Sequence, residues 1–299
     1  MTRSAARTSR PASTAPSGHI DRMSRRRERG WIENRPSTGW PGFRLRTLWA
    51  YRELAWFLAE RDLKVRYKQT IFGVGWAVLQ PLTAAAIFIV LLGRVDDLPA
   101  DGLPYPVFVF AGLTAWLYVS SSVNRAAESL VTDPSLVTKI YFPRLIAPLA
   151  SILPSLADLG VSLLILAPFM AAYGVTPGLA LATLPAAVVW LVAVALGTGL
   201  VFAALNVKYR DVRRVLAFAV QIWLFASPVA FASSLVSGAW KWVYALNPMV
   251  GALDTFRWAT VGAPRPGPEA LVSLGVTLIV LFAGTVYFHA AERRFADVI

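Results

Sequence analysis

RYKQTIFGVGWAVLQPL, residues 66–82, is the stretch that decides the fold. Arg66, Tyr67 and Lys68 are groups that hold at the headgroup level of a bilayer while their stems lie along apolar surface. Gly73 and Gly75 permit a sharp bend, and from Val74 the chain runs without a charge to Gly93. A helix needs about 20 apolar residues to cross the hydrocarbon core, and 74–93 supplies them. Gln80-Pro81 sets an amide and a weak point in the helix near the start of that run.

Working outward, apolar runs recur near 106–124, 145–172, 179–205, 214–236 and 270–290. Pro81, Pro148, Pro154, Pro168, Pro185 and Pro228 fall inside them, which membrane bundles tolerate because neighbouring helices satisfy the freed backbone groups. The run at 145–172 is long and proline-punctuated, so its first part reads as an elbow before a span. The pattern predicts an all-α membrane protein with six transmembrane helices over 74–299. Composition agrees: 56% of the 299 residues are hydrophobic and 15% charged, and the mean hydropathy is +0.55. Soluble domains carry about 25% charged residues.

Absences narrow the chemistry. The chain has no cysteine, and its only histidines are His19 and His289, so disulfides, thiolate nucleophiles and histidine-rich metal sites are excluded. No GxxxxGK[ST], HExxH or GxSxG occurs, so the chain owns neither a phosphate cradle nor the elements of a zinc protease or serine hydrolase. A carrier coupled to protons or sodium buries several ionisable groups along its path. Here the one clear acid within the runs is Asp158. Its charge costs about 3 kcal/mol or more in a span unless paired or wet, which leaves two roles: hydrogen bonding inside the bundle, or contact with substrate hydroxyls or cations. Any uphill movement must draw its energy from a partner.

Residues 1–44 are rich in Arg, Ser, Thr, Pro and Gly and read as a disordered basic tail near anionic lipid. Poor aromatic interleaving argues against nucleic acid. No apolar segment follows the first basic residues, so the tail is not a secretory signal, though its acid-poor, Arg/Ser-rich start has some transit-peptide character. Over 45–73 an interfacial amphipathic helix is expected. Leu45, Trp49, Trp56, Leu63 and Tyr67 share one side, and Leu54, Leu58 and Val65 the other, as for a helix touched by membrane and by protein. Glu53 and Glu60 intrude on the aromatic side.

Lys and Arg collect on the cytoplasmic side of membrane proteins. Arg94, Lys241, Arg257 and Arg265 lie on one side of the six runs. All the other basic residues, including the 16 of 29 within residues 1–73, lie on the opposite side. Both termini are therefore expected in the cytoplasm, in a multi-pass bacterial inner-membrane protein.

Several connections carry further signals. Asp133-Pro134-Ser135 starts a short capped helix through Lys139, ended before Pro143; lying between two spans, it suits a docking element or a plain connector. Asn206 to Arg214 forms a tight basic hairpin. The segment 237–269 is too apolar for a solvated loop and too broken for a span. It fits two short re-entrant helices hinged at Asn247-Pro248, or an aromatic belt at the lipid surface. Trp76, Trp116, Tyr118, Trp223 and Phe225 are candidates to line a conduit, since flat aromatic faces stack on sugar C–H bonds.

With these residues in place, 66–82 resembles the first-span signature of the type-2 ABC export permeases. The resemblance is nearest to the branch exporting lipid-linked polysaccharides such as O-antigen, capsule and teichoic acid. KIYFPRLIAPL (139–149), NVKYRDVRRVL (206–216), SPVAF (227–231) and NPM (247–249) extend the likeness in order through about three quarters of the chain. It implies a homodimer that binds two copies of a cytoplasmic ATPase, which carries the ATP and magnesium; this chain is no enzyme and holds no cofactor or metal. It implies that the first and fifth spans line the conduit, with Trp76 and Gln80 near its mouth. It places ATPase contacts among Arg61, Lys64, Asp133, Ser135 and Lys139, and a cytoplasmic motif at Tyr209, Arg210 and Asp211. Asp158 joins the aromatics as a channel candidate. The rival expectations are the same fold exporting a drug, lipid or peptide, an ion-coupled secondary carrier, and a membrane enzyme acting on lipids.

Overall fold

The computed structural model describes residues 49–68, 75–93, 100–132, 142–209 and 211–292. The basic tail, the capped helix with Asp133, Ser135 and Lys139, and Arg210 lie outside these residues. The described chain is helical, with no strand among the described residues: α1 (Arg52–Lys68), α2 (Gly75–Leu92), α3 (Tyr105–Glu128), α4 (Ile146–Ala172), α5 (Leu184–Lys208), α6 (Val212–Phe225), α7 (Trp240–Tyr244), α8 (Pro248–Val261) and α9 (Glu269–Glu292). Among the described residues, five helical stretches are long and apolar enough to cross a membrane: α2, α3, α4, α5 with the 3-10 turn before it, and α9.

α3 is the axis. Of its most apolar 18 residues 78% are buried, against 17% for α2. Phe108, Phe110, Leu113 and Tyr118 are enclosed on all sides, with α4 on one flank and α5 on another. Lipid chains are as apolar as leucine, so close packing rather than hydrophobicity joins such helices. α5 and α9 meet at Gly197 and Gly284, where a Cβ on Gly284 would stand 2.5 Å from the Gly197 carbonyl oxygen. Trp190 Nε1 donates to Thr277 Oγ1 (2.9 Å) along the same seam, and Asn206 Nδ2 donates to the Ala127 carbonyl (2.9 Å) between α5 and α3.

Two expectations change. The run at 145–172 is not an elbow: α4 is one unbroken helix of 27 residues with Pro154 and Pro168 inside it. At about 40 Å it exceeds the ~30 Å hydrocarbon core, and α1 covers the excess, Leu58 packing with Phe142, Ile146 and Ala150. The run at 214–236 is not one helix. α6 stops at Phe225 after 14 residues, about 21 Å and short of a bilayer. Pro228 lacks an N–H and disfavours helix at Ser227, so the chain unwinds there. Arg213 at the start of α6 pairs with Glu128, and Ala230 beyond its end meets Tyr105 at the opposite end of α3.

α1 also differs in detail. Trp49 and Trp56 are exposed, as one face of the expected pair, and Leu58 is buried as the other. Val65 is 58% exposed, however, so it leaves the stripe of Leu54 and Leu58, while Tyr67 reaches α4.

Candidate functional site

In the half of α3 that ends at Glu128, three elements converge on Asp158. This aspartate accepts hydrogen bonds from the Arg66 guanidinium and the Tyr67 hydroxyl, both on the last turn of α1. Arg125 of α3 lies within electrostatic reach of Arg66, Asp158 and Asp62. Burial, then the hydrogen bond to Asp158 and that residue's charge, push the Tyr67 phenol up to about 12, so it stays a donor. One carboxylate thus stands among cations from two other helices, the pairing that a charge inside a span requires. Ser121 Oγ donates to Ser155 Oγ (3.1 Å) on the same α3–α4 seam. Closer to the end of the bundle, Arg144 donates its backbone N–H to Glu292 Oε1 (3.1 Å) and Nη1 to the Glu292 carbonyl (2.8 Å). The described chain therefore begins and ends on this same side.

At the Tyr105 end the unwound segment after α6 is held by side chains from three other places. Asn247 Nδ2 donates to the Ala226 carbonyl (3.0 Å), Arg257 Nη2 to the Val229 carbonyl (2.6 Å), and the Tyr105 hydroxyl to the Ala230 carbonyl (3.1 Å). Asn247 is also the N-cap of α8, its Oδ1 accepting from Met249 N (3.0 Å) and from Trp223 Nε1 (2.8 Å). Pro248 follows at the first helical position, and Gly262 closes the helix in the left-handed conformation (φ 71°), the residue types that start and stop helices. Arg257 is 1% exposed, its guanidinium 3.7 Å from the Phe108 ring centroid. Gly112 makes room for it, since a Cβ there would come within 2.3 Å of Nη2. Burial pulls the Arg257 guanidinium down to about 10 and pushes the Asp254 carboxyl up to about 6, although Ser233 and Arg257 work to lower the latter. Nothing in the sequence reading singled out Arg257 or Asp254 as a pair. Their i, i+3 spacing beside an Asn-Pro helix start was the available signal.

The structure brings some channel candidates together and separates others. Trp116 is buried and meets Trp223 edge-on at 5.6 Å between centroids. Trp223 borders an open apolar cavity of about 710 Å³ shared with Trp240, Val243, Tyr244 and Pro248. Tyr118 is enclosed in the core, Phe225 is 65% exposed on α6, and Trp76 and Gln80 are exposed on α2. Asp158 is paired with Arg66 and Tyr67. Of the docking candidates, Arg61 pairs with Asp62 (3.0 Å) and Lys64 with Glu60 (2.6 Å) on α1. Tyr209 is half-exposed with Lys208 Nζ 4.8 Å from its ring centroid, and Asp211 is exposed at the start of α6.

An all-helical bundle with spanning helices and this polar seam defines a multi-pass membrane protein. Residues 53–261 match the family model for the ABC-2 type transporter. The chain belongs to that family, whose members are transport proteins of the membrane. It is 28% identical over 258 residues to the O-antigen export system permease protein RfbA of Myxococcus xanthus, covering 85% of this chain and 98% of that one. It is 24% identical over 243 residues to the protein of the same name from Klebsiella pneumoniae, covering 81% and 93%. To the polysialic acid transport protein KpsM of Escherichia coli it is 25% identical over 245 residues, covering 78% and 91%.

Proposed function

We propose that this chain is the permease of an ATP-driven exporter that moves a lipid-linked polysaccharide out across the bacterial inner membrane. The observation that carries the reading is the state of α2 and α6. Both are apolar along their outward faces yet little covered by their own chain: Trp76, Leu79 and Leu91 on α2, and Phe218, Ile222 and Phe225 on α6, are exposed. These are the helices that the family likeness assigns to the conduit, and the relatives' names speak of glycan export.

In this reading two copies pair through or beside those faces, and α6 with its unwound extension makes the sixth crossing. α7 and α8 form the re-entrant pair on the external side, and both termini lie in the cytoplasm, with residues 1–44 as a basic arm at the membrane surface. A separate ATPase, two copies per dimer, binds ATP and magnesium. It docks on α1 near Arg61 and Lys64 and on the segment holding Asp133, Ser135 and Lys139, with Tyr209, Arg210 and Asp211 shaping the cytoplasmic entrance. Trp76, Gln80, Trp223 and Phe225 contact the glycan, Trp116 and Tyr118 supporting them from behind.

Proteoliposomes holding the permease with its cognate ATPase are expected to move a lipid-linked glycan only when ATP is supplied. Movement by the permease alone, or driven by an ion gradient, would replace this reading with a secondary carrier. Transport of a drug, lipid or peptide in place of the glycan would keep the fold and change the cargo.

A further inference from the structure

We propose that Asp158 is a positioning residue that clamps α1 to α4, so that displacement of α1 by a partner is transmitted into the conduit; this rests on the ATP-driven reading above. The geometry makes the case. α1 runs alongside the first half of α4 in the same direction, with Leu54 and Leu58 at Phe142 to Ala150 and Arg66 and Tyr67 at Asp158. α4 is the principal helix that α1 packs against. The first contact region is apolar and small, and one end of it adjoins the connection that leads into α4. The second region is the ionic one, and it lies at the end of α1 that leads into α2.

A push on α1 that was not fixed at that second point would pivot the helix on Leu58 and be lost before it reached α2. Fixed there, α1 and the first half of α4 move as one body. Arg125 of α3, the axis of the bundle, lies within electrostatic reach of the same carboxylate. The same carboxylate also keeps two arginines from facing each other. Without it the repulsion between Arg66 and Arg125 in this partly buried place is less balanced. Tyr67 adds a neutral bond that persists at every physiological pH, its phenol lying at about 12.

The test uses the assembled complex with its ATPase in proteoliposomes and reads ATP hydrolysed and glycan exported separately. Asp158→Asn removes the charge and almost no volume. ATP hydrolysis is expected to stay within about twofold while glycan moved per ATP falls about tenfold, the range of a lost coupling between sites. Asp158→Glu is expected to restore most of the ratio. An unchanged ratio, whether both rates persist or both fall together, would overturn the proposal, because a merely structural residue lowers both alike. Should Asp158→Asn fail to assemble, Tyr67→Phe removes one bond and leaves the ion pair; a drop of about twofold to threefold in the ratio is expected, and no drop again overturns it. If the wild-type complex hydrolyses ATP but exports no glycan, the functional reading fails by itself. The clamp is then judged on the cysteine-free chain by spin labels at Trp56→Cys and Leu164→Cys, both exposed. One narrow distance that broadens in Asp158→Asn supports it, and equal widths refute it.

Discussion

The two ends of the bundle are held by different chemistry. At the Glu128 end, elements distant in sequence are joined through charged side chains: Arg66 pairs with Asp158 and Arg213 with Glu128, while the Arg144 guanidinium and the Glu292 carboxylate each bond the other residue's backbone. At the Tyr105 end the targets are mostly neutral, the carbonyls of an unwound chain, and the donors come from Asn247, Arg257 and Tyr105. A carbonyl left bare by a broken helix needs a fixed donor, because no water replaces it inside a packed protein. An exposed ion pair such as that of Arg213 with Glu128 can break and reform at little cost. The first arrangement therefore suits an end that shifts in use, and the second an end whose irregular backbone must keep one shape.

The largest effect should come from removing the donor that is most buried. Arg257→Met keeps the length of the side chain but leaves the Val229 carbonyl without its donor and Asp254 without its cation. Breaking a buried charge pair from one side costs about 3–5 kcal/mol, and a domain of this size loses about 2–4 °C of unfolding midpoint per kcal/mol. A drop of about 10 °C or more is expected for the purified protein in detergent. A midpoint that stays where it is would mean that Arg257 does not hold the unwound segment.

A smaller effect should follow pH, and only at this end. Asp254 has its carboxyl raised from 3.8 to about 6, first by burial, while Asp101 and Glu269 add to the rise and Ser233 and Arg257 oppose it. The folded chain then binds a proton that the unfolded chain has released across that interval. The stability tied to that proton is complete below the unfolded value and is lost as pH rises through about 6. The unfolding midpoint of the wild type should fall between pH 4.5 and pH 7 by more than that of Asp254→Asn. Parallel curves for the two proteins would remove Asp254 as the cause.

The same contrast explains what the sequence disclosed. Uninterrupted apolar length is a property of a segment by itself, so α2, α3, α4, α5 and α9 were legible to within a few residues. Asn247-Pro248 announced a helix start for the same reason. The end of α6 was not legible as a break, because a lone Pro228 in an apolar run is tolerated in many spans, and unwinding is stable here only because Asn247, Arg257 and Tyr105 donate to the carbonyls of Ala226, Val229 and Ala230. Asp158 was visible as a charge that needed a partner. That the partners would be Arg66 and Tyr67, about ninety residues earlier, depends on how α1 lies along α4, which no local pattern encodes. Among the conduit candidates, Trp116 and Trp223 meet and Tyr118 is sealed inside. Lipid, core and channel all favour aromatic rings, and composition alone does not separate them.

The smallest effect should come from the exposed charges. Arg213 Nε stands 2.9 Å from Glu128 Oε1, but the two side chains are 57% and 41% exposed. Solvent screens such a pair, and its contribution is about 0–1 kcal/mol. Arg213→Gln should therefore move the unfolding midpoint by no more than about 4 °C, and raising the salt should shrink even that difference. A loss as large as that of Arg257→Met would show that α6 is anchored at the Glu128 end as firmly as at the other. In that event the start of α6 could not shift against α3, and motion at the Glu128 end would have to enter through α1 and Asp158 alone.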